Sequence, residues 1–352
     1  MSMKFENDVL VTHGERMYRS SKKKFRTFLQ SATAKLGFNA KIDKHTFAKN
    51  VIVGDPTTAK YIFMAHYDTP PRLPKFFTKH MLAYSLVGLP LLACGISFGL
   101  PALILHFFNT SWWTSFLSVA QPILVGLCSA VPISYMFGFL GGANKTNYND
   151  NSSGVLSLLN IMEKLKDAPQ NVKDQVCFVF TDNEEKGLLG SMGFVNRYGK
   201  SLKDPLIINL DCVGRGKQIN AFYMGTPEGN KVLKEVESLA GNEYTVVPQK
   251  TTLSTMSDHI SFGKKYNCAT LLCVDKQDNK SIYGQIHSSN DHVIESENIN
   301  YIADFCAKKV LDLSPSTSTQ LAKDANKQLQ MQNTLIYKKK KLTQQANISA
   351  ER

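Results

Sequence analysis

The chain has 352 residues, an ordinary share of apolar side chains and a formal charge of +12 at pH 7, which suffices for one large α/β domain or two smaller ones. Net positive charge attracts nucleic acid, anionic lipid and acidic substrates alike, but the basic residues are not interleaved with an aromatic platform or a known motif, so no nucleic-acid partner is expected. The start MSMKFENDVL lacks an apolar run behind a basic region, and the seven cysteines show no paired or C-x-x-C spacing; both features read as a chain that is not secreted and keeps its thiols reduced.

In chain order, a helix is expected over about Glu15 to Leu36, then a short strand at Asn50 to Val53 and an apolar strand YIFMA at Tyr61 to Ala65. Val155, Leu158, Leu159, Met162 and Leu165 recur at helical spacing, with Pro169 just beyond the expected helix end. Strands VCFVF at Val176 to Phe180 and LIINL at Leu206 to Leu210 follow, then a helix near Gly229 to Ala240, a strand ATLLC at Ala269 to Cys273 and a helix over about Asn298 to Leu313. Continuous apolar strands alternating with helices predict an α/β fold, a mostly parallel central sheet with helices on both faces.

From His80 to Asn144 there is no Asp, Glu, Lys or Arg, where an average composition supplies about a quarter charged residues. Met81 to Leu105 and Thr114 to Leu140 are each longer than the roughly 20 helical residues that cross a hydrocarbon core, and the chain's two tryptophans, Trp112 and Trp113, sit between them. Arg72, Lys75 and Lys79 precede the first segment and Lys145 follows the second. These features predict an inserted two-helix transmembrane hairpin with both ends cytoplasmic, a multi-pass protein of the cell membrane with lipid as a partner. The domain reading is therefore residues 1–72 and 145–313 as two parts of a catalytic domain, 73–144 as the hairpin, and 314–352 as a polar basic tail.

The unusual polar residues stand where strands end, the edge at which open parallel sheets gather functional groups. YIFMA runs into His66 and Asp68, VCFVF into Glu184 and Glu185, and LIINL into Asp211; Asp150 lies in YNDNSSGV and His287 in IYGQIHSSND. Any one of these alone is more often a structural hydrogen-bonding group than a ligand. Together, two imidazoles and three carboxylates suit two zinc-type ions sharing one carboxylate, whereas oxygen ligands alone would suit magnesium or calcium. A further carboxylate beside them suits general acid–base work on a water attacking a peptide.

HYD at His66 to Asp68, NDNSSG at Asn149 to Gly154, EEKGLLGS at Glu184 to Ser191, NLD at Asn209 to Asp211, SDHISF at Ser257 to Phe262 and IHSSND at Ile286 to Asp291 occur in this order. The order resembles the co-catalytic di-zinc aminopeptidases of metallopeptidase clan MH, including bacterial leucyl-type enzymes, over nearly all of residues 35–312 apart from the charge-free stretch. The resemblance implies a zinc exopeptidase fold and two zinc ions, with cobalt or manganese as substitutes. It implies that His66 and Asp211 hold one ion, Glu185 and His287 the other, that Asp150 bridges both, and that the Asp150–Asn151 bond is cis. Glu184 would be the general base, and Asp68 would orient His66. Asp258 and Asp291 also match family positions, where loop ordering and catalysis are equally open roles. Ile286 departs from relatives that carry a tyrosine there, with Tyr283 as a conceivable substitute.

The expected function is thus a metal-dependent exopeptidase acting on peptides, an aminopeptidase with a cytoplasmic catalytic domain. Glutaminyl cyclases look similar but use one zinc for intramolecular amide transfer, and a non-enzymatic membrane scaffold is the further alternative.

Overall fold

A computed structural model describes residues 3–72, 141–241, 243–252, 255–275 and 285–313. Its sheet has eight strands: β1 (Ala40–Lys44), β2 (Lys49–Val53), β3 (Tyr61–His66), β4 (Val176–Thr181), β5 (Leu206–Leu210), β6 (Gln218–Tyr223), β7 (Thr245–Lys250) and β8 (Cys268–Val274), in spatial order β1-β2-β4-β3-β5-β8-β6-β7. The central run β4-β3-β5-β8 is parallel. On its flanks β2 pairs antiparallel with β4 and β6 pairs antiparallel with β8, while the edge pair β6–β7 is parallel again, so the sheet is mixed.

The central strands are buried at nearly every position because helices cover both faces. Side-chain alternation sends Tyr61, Phe63 and Ala65 into one apolar cluster and Ile62 and Met64 into the other. The first cluster is closed by α1 (Arg19–Lys35), α2 (Gly154–Leu165), α5 (Lys231–Val236) and α6 (Ser296–Leu311); α3 (Gln170–Lys173) adds Val172. The second is closed by α4 (Leu189–Tyr198), through Phe194, and by the turn carrying Phe262.

Helix α1 presents Phe25, Leu29 and Ala32 to the core at helical spacing. It stops at Gly37, whose φ of +78° lets the Gly37 and Phe38 N–H groups close back on the carbonyls of Ala34 and Thr33. Strand β3 pairs with both β4 and β5, so the stretches before and after the charge-free segment build one sheet. Beyond β3, Arg72 N–H donates to the Gly142 carbonyl at 2.9 Å and Pro71 bridges Ala143 in antiparallel fashion.

The expected transmembrane hairpin, and with it the multi-pass membrane location, is corrected here. Among the described residues no helix is long and apolar enough to cross a membrane. The physical reason is that these helices serve the sheet: the longest, α1, has 17 residues, a length of about 26 Å against a hydrocarbon core of about 30 Å, and it keeps a polar outer face. Met81 to Leu105, Trp112, Trp113 and Thr114 to Leu140 lie outside the described residues, as do the 314–352 tail and Tyr283.

Candidate metal centre

Parallel strands β3, β4 and β5 deliver their carboxyl ends to one place. His66 is the last residue of β3 and lies beside Thr181 of β4; Glu184 and Glu185 follow β4, and Asp211 follows β5. Asp150 arrives in the turn before α2, and His287 in the loop between β8 and α6. The structure therefore gathers all five expected ligands, with Glu184 and Asp68, at one edge of the sheet.

The two oxygens of Asp150 face different partners. His66 Nε2 stands 3.3 Å from Asp150 Oδ1 and 3.6 Å from Asp211 Oδ1, while His287 Nε2 stands 3.0 Å from Asp150 Oδ2 and 3.4 Å from Glu185 Oε2. The donors thus fall into His66–Asp150–Asp211 and Asp150–Glu185–His287, each set with ligand atoms within 4.8 Å of one another. His66, Glu184 and Glu185 form a third such set. The Asp150–Asn151 peptide is cis, as the family resemblance implies.

The backbone around these donors is held by side chains of the NDNSSG motif. Asn151 donates to the Leu210 carbonyl at 2.9 Å and accepts from the N–H groups of Gly154 and Cys212. Ser153 accepts from Val213 N–H, and Asn149 from Gly214 N–H. The motif therefore locks the turn of Asp150 to the turn of Asp211. Cys212, Asn183 and His287 all have φ between 54° and 58°, left-handed conformations that non-glycine residues adopt only where surroundings impose them.

A second layer orders the candidate ligands. Asp68 accepts from the N–H groups of Glu184 (3.0 Å) and Glu185 (3.3 Å), and His66 Nδ1 lies 3.2 Å from the Asp68 carbonyl oxygen and 3.7 Å from its carboxylate. The contact that orients the imidazole thus includes the Asp68 backbone as well as the carboxylate. Asp291 accepts from the N–H groups of Asn149 (2.8 Å) and Asp150 (3.0 Å). Ser257 donates to Asp211 Oδ2 at 2.7 Å and accepts from Asn209. Asp258 accepts from Thr181 Oγ1. Ser257 opens the SDHISF motif, but its bond to Asp211 is not expected from the sequence, since a serine in a loop carries no spacing signal of its own.

The electrostatics call for cations. Burial raises Glu184 well above the ordinary carboxylate range, with Asp211, Asp258 and Asp68 adding to the rise and His66 opposing it. Burial, then Asp150 and Glu184, raise Glu185 in the same way. Burial opposes charge on His66, but Glu184, Asp150, Asp211 and Asp68 outweigh it and raise its pKa well above the usual value. Burial works to raise Asp150 too, yet His287 and His66 hold it below the carboxylate range. One Glu185 oxygen, Oε1, is buried without a hydrogen-bond partner, an arrangement that leaves a polar atom uncompensated. Divalent cations fit this set: they take deprotonated carboxylates and neutral imidazoles and supply the charge these buried acids lack.

Comparison with known proteins meets this geometry at one point. Residues 140–310 match the model of Peptidase family M28. The M28 match contains Asp150, Glu184, Glu185, Asp211 and His287, while His66, at the end of β3, and Asp68, just after it, precede the match. No curated protein sequence matches the chain. Among solved structures, the LapA aminopeptidase of Legionella pneumophila is 14% identical, with 86% of this chain and 69% of that one covered at a TM-score of 0.51. The glutaminyl cyclase of Tannerella forsythia is 14% identical, with 88% and 97% covered at a TM-score of 0.56; that of Porphyromonas gingivalis gives 14%, 88%, 95% and 0.56. These likenesses show a shared fold, on which an M28 peptidase family match stands beside neighbours of two different reactions.

Proposed function

We propose that the chain is a metal-dependent exopeptidase, an aminopeptidase acting on peptides, in which His66 and Asp211 hold one zinc ion, Glu185 and His287 hold a second, and Asp150 lies between them. The observation that carries this reading is the division of Asp150, one oxygen toward His66 and the other toward His287. When bound, a zinc pair would polarise a peptide carbonyl and lower the pKa of a water in the site. Glu184 takes a proton from the attacking water and returns it to the departing amine, work suited to a carboxylate standing beside both donor sets. Asp68 fixes the backbone of Glu184 and Glu185 so that both carboxylates keep their aim. Buried strand ends and the pinned turns hold this arrangement before substrate arrives, which removes reorganisation from the reaction.

A glutaminyl cyclase reading is favoured by one finding, the near-complete coverage of the bacterial cyclases by this chain. It calls for one zinc and amide transfer within a single substrate; the complete pair of donor sets supports two ions and hydrolysis. Purified chain, stripped and reloaded with zinc, should be assayed on peptides with free amino termini, blocked amino termini and amino-terminal glutamine. Release of amino-terminal residues from free peptides alone supports the aminopeptidase reading. Cyclisation of glutaminyl peptides without hydrolysis overturns it.

A further inference from the structure

Three cations near the amino terminus are almost wholly buried: Arg16 at 0%, Arg26 at 5% and Lys22 at 6% exposure. They precede residues 140–310, the M28 match, and sit on α1 or just before it. Burying a charge is costly unless it is compensated, so their partners are informative. Arg16 Nε donates to the Tyr67 carbonyl at 2.5 Å, Nη1 to the carbonyls of His13 (2.8 Å) and Val9 (3.4 Å), and Nη2 to Ser152 Oγ at 2.9 Å. Its guanidinium also lies over the Phe25 ring, 4.8 Å from the centroid. These acceptors are neutral, so its charge is offset at longer range: burial pulls its pKa down to about 10, and Asp68, Glu15, Asp150 and Asp291 act in the opposite sense.

Two of these contacts, to Tyr67 and Ser152, end beside candidate ligands. Tyr67 separates His66 from Asp68, and Ser152 lies two residues after Asp150. Tyr67 is gripped at its other end as well, because Arg26 donates to its hydroxyl at 2.7 Å and that hydroxyl donates to the Lys49 carbonyl. Lys22 Nζ donates to Asp182 Oδ1 at 2.7 Å and to Asn183 Oδ1, immediately before Glu184 and Glu185. A planar guanidinium with fixed donors is suited to setting the spacing between such turns, where a lysine ammonium would reach only some of the acceptors.

We propose that the amino-terminal segment is a working part of the metal centre, with Arg16 and Lys22 as positioning residues that hold the His66–Asp68, Asp150–Ser152 and Asp182–Glu185 turns in register. The proposal rests on the metal-site reading above. Arg16 ties two of these turns through one rigid group, and Lys22 ties the third. Their charge also moderates the repulsion among the buried acids of the site.

The test uses the purified full chain and zinc alone. Zinc affinity is measured by competition with a chromophoric chelator for the wild type, Arg16→Met, Arg16→Lys, Lys22→Met and Ser152→Ala, alongside unfolding of each metal-free protein. Arg16→Met and Lys22→Met should weaken zinc binding about 10- to 100-fold, the usual range for residues that orient ligands. Arg16→Lys should recover part of the Arg16→Met loss, and Ser152→Ala should lose several-fold with its unfolding midpoint close to wild type. Should Arg16→Met or Lys22→Met fail to fold, Arg16→Lys and Ser152→Ala carry the test, since neither removes a buried charge. Unchanged zinc affinity in all folded variants, including any that unfold more readily, overturns the proposal while leaving the metal site in place. A wild type that binds no zinc defeats the metal-site reading itself and this proposal with it.

Discussion

Replacing Gly154 by alanine sets a gain against a larger loss. Gly154 is the first residue of α2 and its φ of −63° is ordinary for any residue, so alanine should favour the helix by roughly 0.5–1 kcal/mol. A Cβ at this position, however, would collide with the Leu210 carbonyl oxygen and lie 2.5 Å from Asn151 Oδ1 and 2.8 Å from Asn151 Nδ2. A carbon sits comfortably near oxygen only at about 3.3 Å or more, so backbone or Asn151 must yield by close to 1 Å. Overpacking of this kind costs about 1–3 kcal/mol, which offsets the propensity gain and leaves a net loss of up to about 2.5 kcal/mol. The displacement separates the turn of Asp150 from the turn of Asp211, and errors of about 1 Å in such a site cost roughly 10²-fold in rate. Urea unfolding of the metal-free protein and kcat/KM at saturating zinc measure the two effects. A Gly154→Ala protein as stable and as active as wild type would refute the close approach on which the reasoning depends.

Three further outcomes follow from the same geometry. Glu184→Gln should keep the zinc content of the wild type and lower turnover at least 10²-fold, as loss of a general base commonly does; parallel loss of metal, read by elemental analysis, would make Glu184 a ligand instead. Asp68→Asn should weaken zinc binding about 10- to 100-fold in the chelator competition, because it disturbs the N–H contacts of both Glu184 and Glu185. His259 is buried between Thr251 and Thr270, with ring nitrogens 2.6 Å and 2.7 Å from their hydroxyl oxygens, and burial lowers its pKa to about 4. Its neutral form therefore supports the fold fully above pH ~6.5, and that support, about 3 kcal/mol, is lost as pH falls toward 4 because the unfolded chain takes up the proton first. His259→Gln should flatten this part of the stability–pH curve relative to wild type, and superimposable slopes for the two proteins would contradict it.

The sequence exposes what burial on two faces demands and hides what is settled by pairing. Strands β3, β4, β5 and β8 stand out as apolar runs because helices cover both sides of them. Strands β1 (AKIDK), β6 (QINAFY) and β7 (TVVPQK) lie toward the sheet's flanks and carry polar residues or, at Pro248, a residue suited to an edge, so their sequences do not announce strands. Helix α4 is masked by Gly190 and Gly193, which read as loop residues, although both pack closely against neighbours, Gly190 against Asp182 and Gly193 against His45. The residue types of the candidate ligands were legible from strand ends and motif order, since chemistry restricts them to His, Asp and Glu. Arg16 and Lys22 were not, because a basic residue beside an amphipathic helix looks like solvated surface until Tyr67, Ser152 and Asp182 close around it. The charge-free stretch supplied composition alone, and the helices described around it are built to cover a sheet.

The central claim, two cations sharing Asp150, is met most directly by anomalous scattering from crystals of the zinc-loaded protein. The account predicts two peaks about 3.5–4 Å apart, one against His66 and Asp211, the other against Glu185 and His287, with Asp150 reaching both. A single peak, or two peaks that leave Asp150 uncoordinated, would contradict it.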